Sequence, residues 1–180
     1  MRPRRAFLLA LLVAVLAFVG WRALRAPQGP QPDVPQTDST STGFKSARLY
    51  FASTNGESLV VETREQLDAQ NLHDRVASLV DELERGPRTR GLRTIPVGTA
   101  VQHVYLDDRG LMTLDLSRGF RDGFRGGSAA EFLAIAALTR TLGANLPEVK
   151  RVMLVCAGQP LASLGGHLPL DRPIDVADLP

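Results

Sequence analysis

AVQHVYLDDRGLMTLDL, running from Ala100 to Leu116, decides the fold. Two short apolar-rich runs, Ala100–Leu106 and Leu111–Leu116, flank Asp107-Asp108-Arg109-Gly110. A polar turn ending in Gly reverses the chain, so the stretch predicts an antiparallel hairpin. Upstream, Leu72, Val76, Leu79, Val80 and Leu83 recur at the spacing that lines one face of a helix. Asn71 can cap that helix, and Gly86-Pro87 stops it. Downstream, Ser128–Leu142 predicts a second helix whose middle, FLAIAAL, is apolar almost all round and is therefore expected to be buried. Ser128 and Glu131 have the S-x-x-E spacing of a capping box. Lys150–Cys156 is an apolar run of strand length, broken by Gly158.

A further hairpin precedes all of this. Ala47–Ala52 alternates, Asn55-Gly56 is a strong turn signal, and Leu59–Thr63 supplies a returning strand. The order β(β)αββαβ predicts an α+β two-layer sandwich, with a mixed sheet and both helices on one face.

The chain has 180 residues, enough for one domain with appendages. Its composition divides sharply near Gly43. Met1–Arg5 is basic and Ala6–Trp21 is an uninterrupted apolar run. As a helix that run is about 24 Å long, with Trp21 and Arg22 placed to sit at headgroup level. Residues 1–25 are expected to be a retained signal anchor spanning the cytoplasmic membrane once, with the rest of the chain on the extracytoplasmic side. A cleaved signal peptide is the competing reading, although its best site is followed by Pro27. Residues 26–43 are rich in Pro, Gln, Ser and Thr and read as a disordered linker, leaving 44–180 as the domain.

The formal net charge is +2, but position matters more than total. Five of the 21 basic residues (Arg2, Arg4, Arg5, Arg22 and Arg25) flank the apolar run, and no acidic residue precedes Asp33. From Ala26 onward 16 basic residues face 19 acidic ones, a net of −3. Nucleic acid is not an expected partner for such a domain. The lone Cys156 excludes an internal disulfide and a Cys-based zinc site.

Several motifs lie in an ordered series along the domain. They are Leu49-Tyr50-Phe51, Gly86-Pro87, Ile95-Pro96 with Gly98-Thr99, Leu114-Asp115-Leu116-Ser117 followed by Phe120, Gly127-Ser128 with Glu131, Thr141-Leu142, and Pro147 through Val152. In that order and spacing the domain resembles GerMN domains, named from sporulation and spore germination proteins. The resemblance implies an extracytoplasmic α/β domain, similar in architecture to the ring-building modules of envelope machines, in membrane- or lipid-anchored proteins. It brings no catalytic residues with it. This chain departs from the lipid-anchored members in lacking a cysteine near its start, and from the tandem members in having one copy.

A serine hydrolase acting on cell-wall polymer is the alternative from another class. Its candidates are Ser117 or Ser128, His73, His103 or His167, and Asp107 or Asp115, none in a G-x-S-x-G elbow. Asp107, Asp108 and Asp115 lack the spacing of a calcium loop, and the histidines lack H-x-x-x-H spacing, so no metal or other cofactor is expected. Gly126-Gly127-Ser128, with Arg118, Arg121 and Arg125 upstream, is a candidate anion nest at a helix start, although an ordinary capped helix is favoured. Cys156 reads as a small buried hydrophobe.

The functional expectation is a non-catalytic envelope module that binds an envelope protein or a cell-wall component, with self-association left open. Strand alternation turns Leu49, Phe51, Val104, Leu106, Leu114, Leu116, Val152 and Leu154 toward the helices. The opposite face then receives Tyr50, Val101, His103, Tyr105, Thr113 and Met153, and Tyr50, His103, Tyr105 and Met153 are the candidate partner-binding residues. An equal alternative has Leu161–Pro180, carrying Leu164, Leu168, Leu170 and Ile174, fold back over that face.

Overall fold

The β1–β2 hairpin does not join the main sheet. In the computed structural model, which describes residues 43–178, β1 (Phe44–Ala52) pairs antiparallel with β2 (Leu59–Leu67) as a separate two-stranded sheet. The expectation of a single sheet is corrected by what β1's other edge bonds to. Tyr50 N–H donates to Thr141 Oγ1 at 3.0 Å and Arg48 N–H to Asn145 Oδ1 at 2.9 Å, while Asn145 Nδ2 donates to the Arg48 carbonyl at 2.7 Å. Further along the same edge, Leu92 N–H donates to the Ala52 carbonyl. Helix side chains and a loop thus take the groups that a neighbouring strand would have used.

Helix α1 (Leu72–Arg85) follows as the periodicity predicts. Asn71 Oδ1 accepts from Asp74 N–H, and Gly86, at φ 85°, closes the other end by donating to the Leu83 carbonyl. Val76, Leu79, Val80 and Leu83 are buried, each worth roughly 1.5–3 kcal/mol of transfer free energy.

The main sheet runs β3 (Val101–Leu106), β4 (Leu111–Leu116), β5 (Arg151–Cys156), β6 (Gln159–Pro160), with β7 (Ile174–Asp175) also on β5. β3 and β4 form the antiparallel hairpin, while β4 and β5 are parallel. A parallel pair needs a long crossover. Here it is a short helix, α2 (Arg118–Asp122), followed by α3 (Ser128–Asn145), three residues longer than expected. The fold is α+β with a mixed sheet, and its core joins Leu49 and Phe51 of β1, the α1 stripe, Met112, Leu114 and Leu116 of β4, and Ile135, Leu138 and Leu142 of α3.

Two local expectations are corrected. Val101 does not share a face with His103, because the register shifts between them: Val101 pairs with Leu116 and packs against the core, whereas His103 pairs with Asp115. Gln102 is the extra residue of a bulge, which resets the alternation. The capping box also fails. The N-cap of α3 is Gly127, no side chain caps that end, and Glu131 is fully buried, facing the C-terminal segment.

The expected membrane segment (1–25) and all but residue 43 of the expected linker (26–43) lie outside the described residues. Among the described residues no helix is long and apolar enough to cross a membrane.

Candidate functional site

Strand register builds the outer face of the main sheet in rows. Tyr105, Thr113 and Met153 stand side by side across β3, β4 and β5, and His103, Asp115 and Val155 form the next row. Tyr105 is 67% exposed, against zero for Leu114 of the opposite face. The C-terminal segment does not cover these rows with its leucines. Leu161, Leu164 and Leu170 enter the core instead, Leu168 and Ile174 pack against it, and β6 and β7 line the free edge of β5.

Tyr50 is not part of this face. It belongs to the other sheet and lines a cavity of about 350 Å³ with Leu59, Phe132 and Arg140. The expected four-residue surface is therefore His103, Tyr105 and Met153 in the main sheet, with Tyr50 apart.

The hydrolase candidates are scattered. His103 Nδ1 lies 3.4 Å from Asp115 Oδ2, a base-and-orienter distance. Yet the same carboxylate accepts Gly158 N–H at 3.1 and 3.2 Å, holding the tight turn in which Ala157 adopts φ 52°. Ser117, two residues on, spends its hydroxyl on the backbone, donating to the Gly98 carbonyl at 2.8 Å and accepting Ala100 N–H at 3.0 Å. Asp107 Oδ1 accepts Arg109 and Leu111 N–H inside the β3–β4 turn. His73 pairs with Asp74 on the exposed start of α1, and Ser128 is exposed at the start of α3. Among the described residues no group of three or more His, Cys, Asp or Glu side chains could hold a metal ion. Cys156 is buried, its thiol 3.5 Å from the Ser117 carbonyl.

Gly126, Gly127 and Ser128 are exposed at the N-terminus of α3. Of the arginines upstream, Arg121 pairs with Asp122 at 2.9 Å, which raises its pKa, and Arg125 folds back onto the carbonyls of Asp122 and Phe124.

Two buried charge clusters escape sequence reasoning. Glu131 accepts backbone N–H groups from Leu164, Gly165 and His167, each at 2.8 Å, and His167 Nδ1 lies 3.1 Å away. Burial pushes its carboxyl up, but these N–H donors, with Leu168 as a further contributor, outweigh burial and hold it below the usual carboxylate range. Arg64, only 4% exposed, bonds Glu62 at 2.8 Å, Glu82, and the Glu82 and Gly86 carbonyls at 3.2 and 2.7 Å, over the face of Phe51. The signal for Arg64 was available: the inward positions of β2 are Val60, Glu62, Arg64 and Gln66, and an inward Arg demands acidic partners. Burial raises Glu62 and Glu82, yet Arg64 and their other donors leave both lowered.

Three solved structures share this architecture. A protein from Clostridium perfringens assigned as a lipoprotein matches with TM-score 0.53 and 21% identity, covering 76% of this chain and 91% of that one. The first GerMN domain of the sporulation protein GerM from Bacillus subtilis matches with TM-score 0.60 and 21% identity, covering 74% of this chain and 99% of the domain. The tandem GerMN domains of the same protein match with TM-score 0.60 and 18% identity, over 74% of this chain and 46% of that one. At these identities the likeness shows the fold. No match was found among curated proteins. The family model Germane, described as sporulation and spore germination, matches residues 48–162, well over half of the chain; the chain belongs to this family, that of the GerMN domains.

Proposed function

We propose that this protein is a non-catalytic binding module of the bacterial cell envelope, held on the extracytoplasmic side of the cytoplasmic membrane by residues 1–25 and presenting the outer face of its main sheet to an envelope partner. The exposure of Tyr105 carries the reading. A large aromatic side chain with a polar tip stands on an edge strand, flanked by His103 and Thr113, with Met153 one strand further on. Such side chains lose little rotamer entropy on docking and are enriched among binding hot spots. Membrane attachment is supported by the apolar run Ala6–Trp21 and by the lipoprotein assignment of the Clostridium relative. Cys156 is buried in β5 and is unsuited to carry a lipid.

The test places a photo-crosslinking amino acid at position 105, and in a second strain at the exposed position 63 of β2, in cells making the full chain. Crosslinks to an envelope component at 105 and not at 63 are expected. Tyr105→Ala is expected to abolish capture from position 153 while changing stability by no more than about 0.5 kcal/mol, as for an exposed site. Capture that survives Tyr105→Ala would remove this face as the partner surface.

A further inference from the structure

Among the described residues, every long strand edge but one is spent or interrupted. β1 gives its outer edge to α3 and to Leu92, β5 is lined by β6 and β7, and the outer edge of β3 is short and broken by the bulge at Gln102. β2 runs for nine residues, Leu59–Leu67, with no proline and no bulge, and β1 is its only strand partner among the described residues. Native edges are normally blunted by short length, proline, a bulge or a cover, because a bare edge is a template for a further strand.

The ladder fixes which groups point outward. At its two ends Ser53 N–H donates to the Ser58 carbonyl and Asp68 N–H to the Gly43 carbonyl, each at 2.8 Å. Hydrogen-bonded pairs recur at every second residue of an antiparallel ladder. The even-numbered residues of β2 therefore bond to β1, and Val61, Thr63, Glu65 and Leu67 turn their N–H and C=O groups away from it. The same four residues have exposed side chains, Val61 at 56% and Leu67 at 58%. An inward-pointing charge also protects an edge, by resisting desolvation. Arg64, the inward cation here, is already buried and paired with Glu62 and Glu82, so a further strand costs it little more.

We propose that this edge pairs with a second copy of the chain, β2 against β2, antiparallel about a two-fold axis at Arg64. The strand's fit to itself identifies the occupant. Read against its own reverse in that register, the outward series Val61, Thr63, Glu65, Leu67 sets Val61 opposite Leu67 of the second copy and Thr63 opposite Glu65. The two exposed aliphatic side chains cover each other, and Tyr50, paired with Val61 on β1, extends the apolar row. Glu65 is the one outward charge and meets a hydroxyl, not its like. Arg64 falls opposite its own copy, with each guanidinium already neutralised by Glu62 and Glu82. Roughly eight backbone hydrogen bonds form. The two edges consume each other, so assembly closes at two copies. This surface is separate from the Tyr105 face, and a crosslinker at position 63 then captures the chain itself rather than a different envelope component.

The test follows the full-length chain in nonionic detergent by sedimentation over a dilution series. A monomer–dimer equilibrium is expected. Thr63→Pro should weaken the dimer at least tenfold, because it removes an outward N–H and no bond of the β1–β2 ladder. Thr63→Val should leave the dimer intact, because the backbone makes the pairing. The register is read separately, so the proposal stays testable even where the proline variant fails to fold. Residues 61 and 67 of opposite copies come about 5.5 Å apart at Cα, within disulfide range. Mixing Val61→Cys chains with Leu67→Cys chains under mild oxidation is therefore expected to give the mixed disulfide dimer, with Val61→Cys alone giving little. A monomer at all concentrations, a dimer that survives Thr63→Pro, or Val61→Cys dimers formed as readily as mixed ones overturns the proposal. So does capture of a different envelope protein by Val61→Cys in intact cells in place of its own copy, which would assign the edge to a foreign strand.

Discussion

Glu131 and His167, 36 positions apart, are joined twice: the His167 N–H donates to Glu131 Oε2 at 2.8 Å, and its Nδ1 approaches the same oxygen at 3.1 Å. With Leu164 and Gly165 bonded to Oε1, the carboxylate pins the C-terminal segment to α3 and delivers Leu164 to the core. Replacing Glu131 by Ala strands these N–H groups, each at roughly 1–3 kcal/mol. We expect a loss of about 3–5 kcal/mol by urea unfolding of Glu131→Ala, and a smaller loss for Glu131→Gln, which keeps one acceptor oxygen. A loss below about 1 kcal/mol for the Ala variant would show that the segment is held by its leucines alone.

The same carboxylate sets a pH dependence. Its folded-state pKa lies below its unfolded value, so the folded state binds fewer protons near that range. The stability it contributes is therefore complete above the unfolded pKa of about 4.3 and is lost as pH falls through the folded value. Glu62 and Glu82 are lowered as well and act in the same direction. The unfolding midpoint should fall steeply below about pH 4.3, and Glu131→Gln should flatten part of that fall. An acid limb identical in the wild type and the variant would rule out Glu131 as a source.

Arg64 and Glu82 form the other buried centre, and the two can be separated from mere polarity by a double change. Arg64→Met leaves Glu82 with only the exposed Arg85 and Arg88 as partners and orphans the Gly86 carbonyl at the end of α1. The expected cost is about 3 kcal/mol, the scale for breaking a buried pair from one side. Adding Glu82→Leu should restore much of it, because two well-packed apolar side chains carry no desolvation penalty. Chemical denaturation of the two single variants and the double variant reads the coupling directly; strict additivity would mean that the pair does not act as a unit.

What the sequence made legible follows the range of the interactions. The α1 stripe, its Asn71 cap and the Gly86 stop are all set within a few residues, and all three were readable. Glu131 misled because its spacing to Ser128 satisfies a local motif, whereas its true partners are 33 to 36 positions away. Val101 misled because alternation counts assume an unbroken ladder, and a single extra residue at Gln102 reverses the faces. Tyr50 and Tyr105 each sit on an alternating strand, but alternation assigns a side and not a sheet. The separation is made by Thr141 and Asn145 of α3, on which β1 spends its outer edge. Of the proposed partner surface, His103, Tyr105 and Met153 remained together because one hairpin and one parallel neighbour place them.

Ser117 offers the sharpest separation of architecture from chemistry. Its hydroxyl donates to the Gly98 carbonyl and accepts from Ala100 N–H, tying the end of β4 to the loop before β3. Gly119, two residues on, passes so close to that loop that an added Cβ would lie 2.1 Å from the Gly98 oxygen and 2.6 Å from its carbonyl carbon. Backbone on both sides leaves nothing flexible to yield, so Gly119→Ala must push the loop and α2 apart. Overpacking of this kind costs about 1–3 kcal/mol or more, and the same displacement should break the Ser117 bonds. Ser117→Ala alone removes one donor and one acceptor, for about 1–2 kcal/mol. Both variants are therefore expected to lower the thermal midpoint, with Gly119→Ala the more severe, and the double variant should cost less than the sum because the two share one contact. A Ser117→Ala protein with unchanged melting temperature and a lost cellular function would reverse this assignment, making the hydroxyl a reacting group.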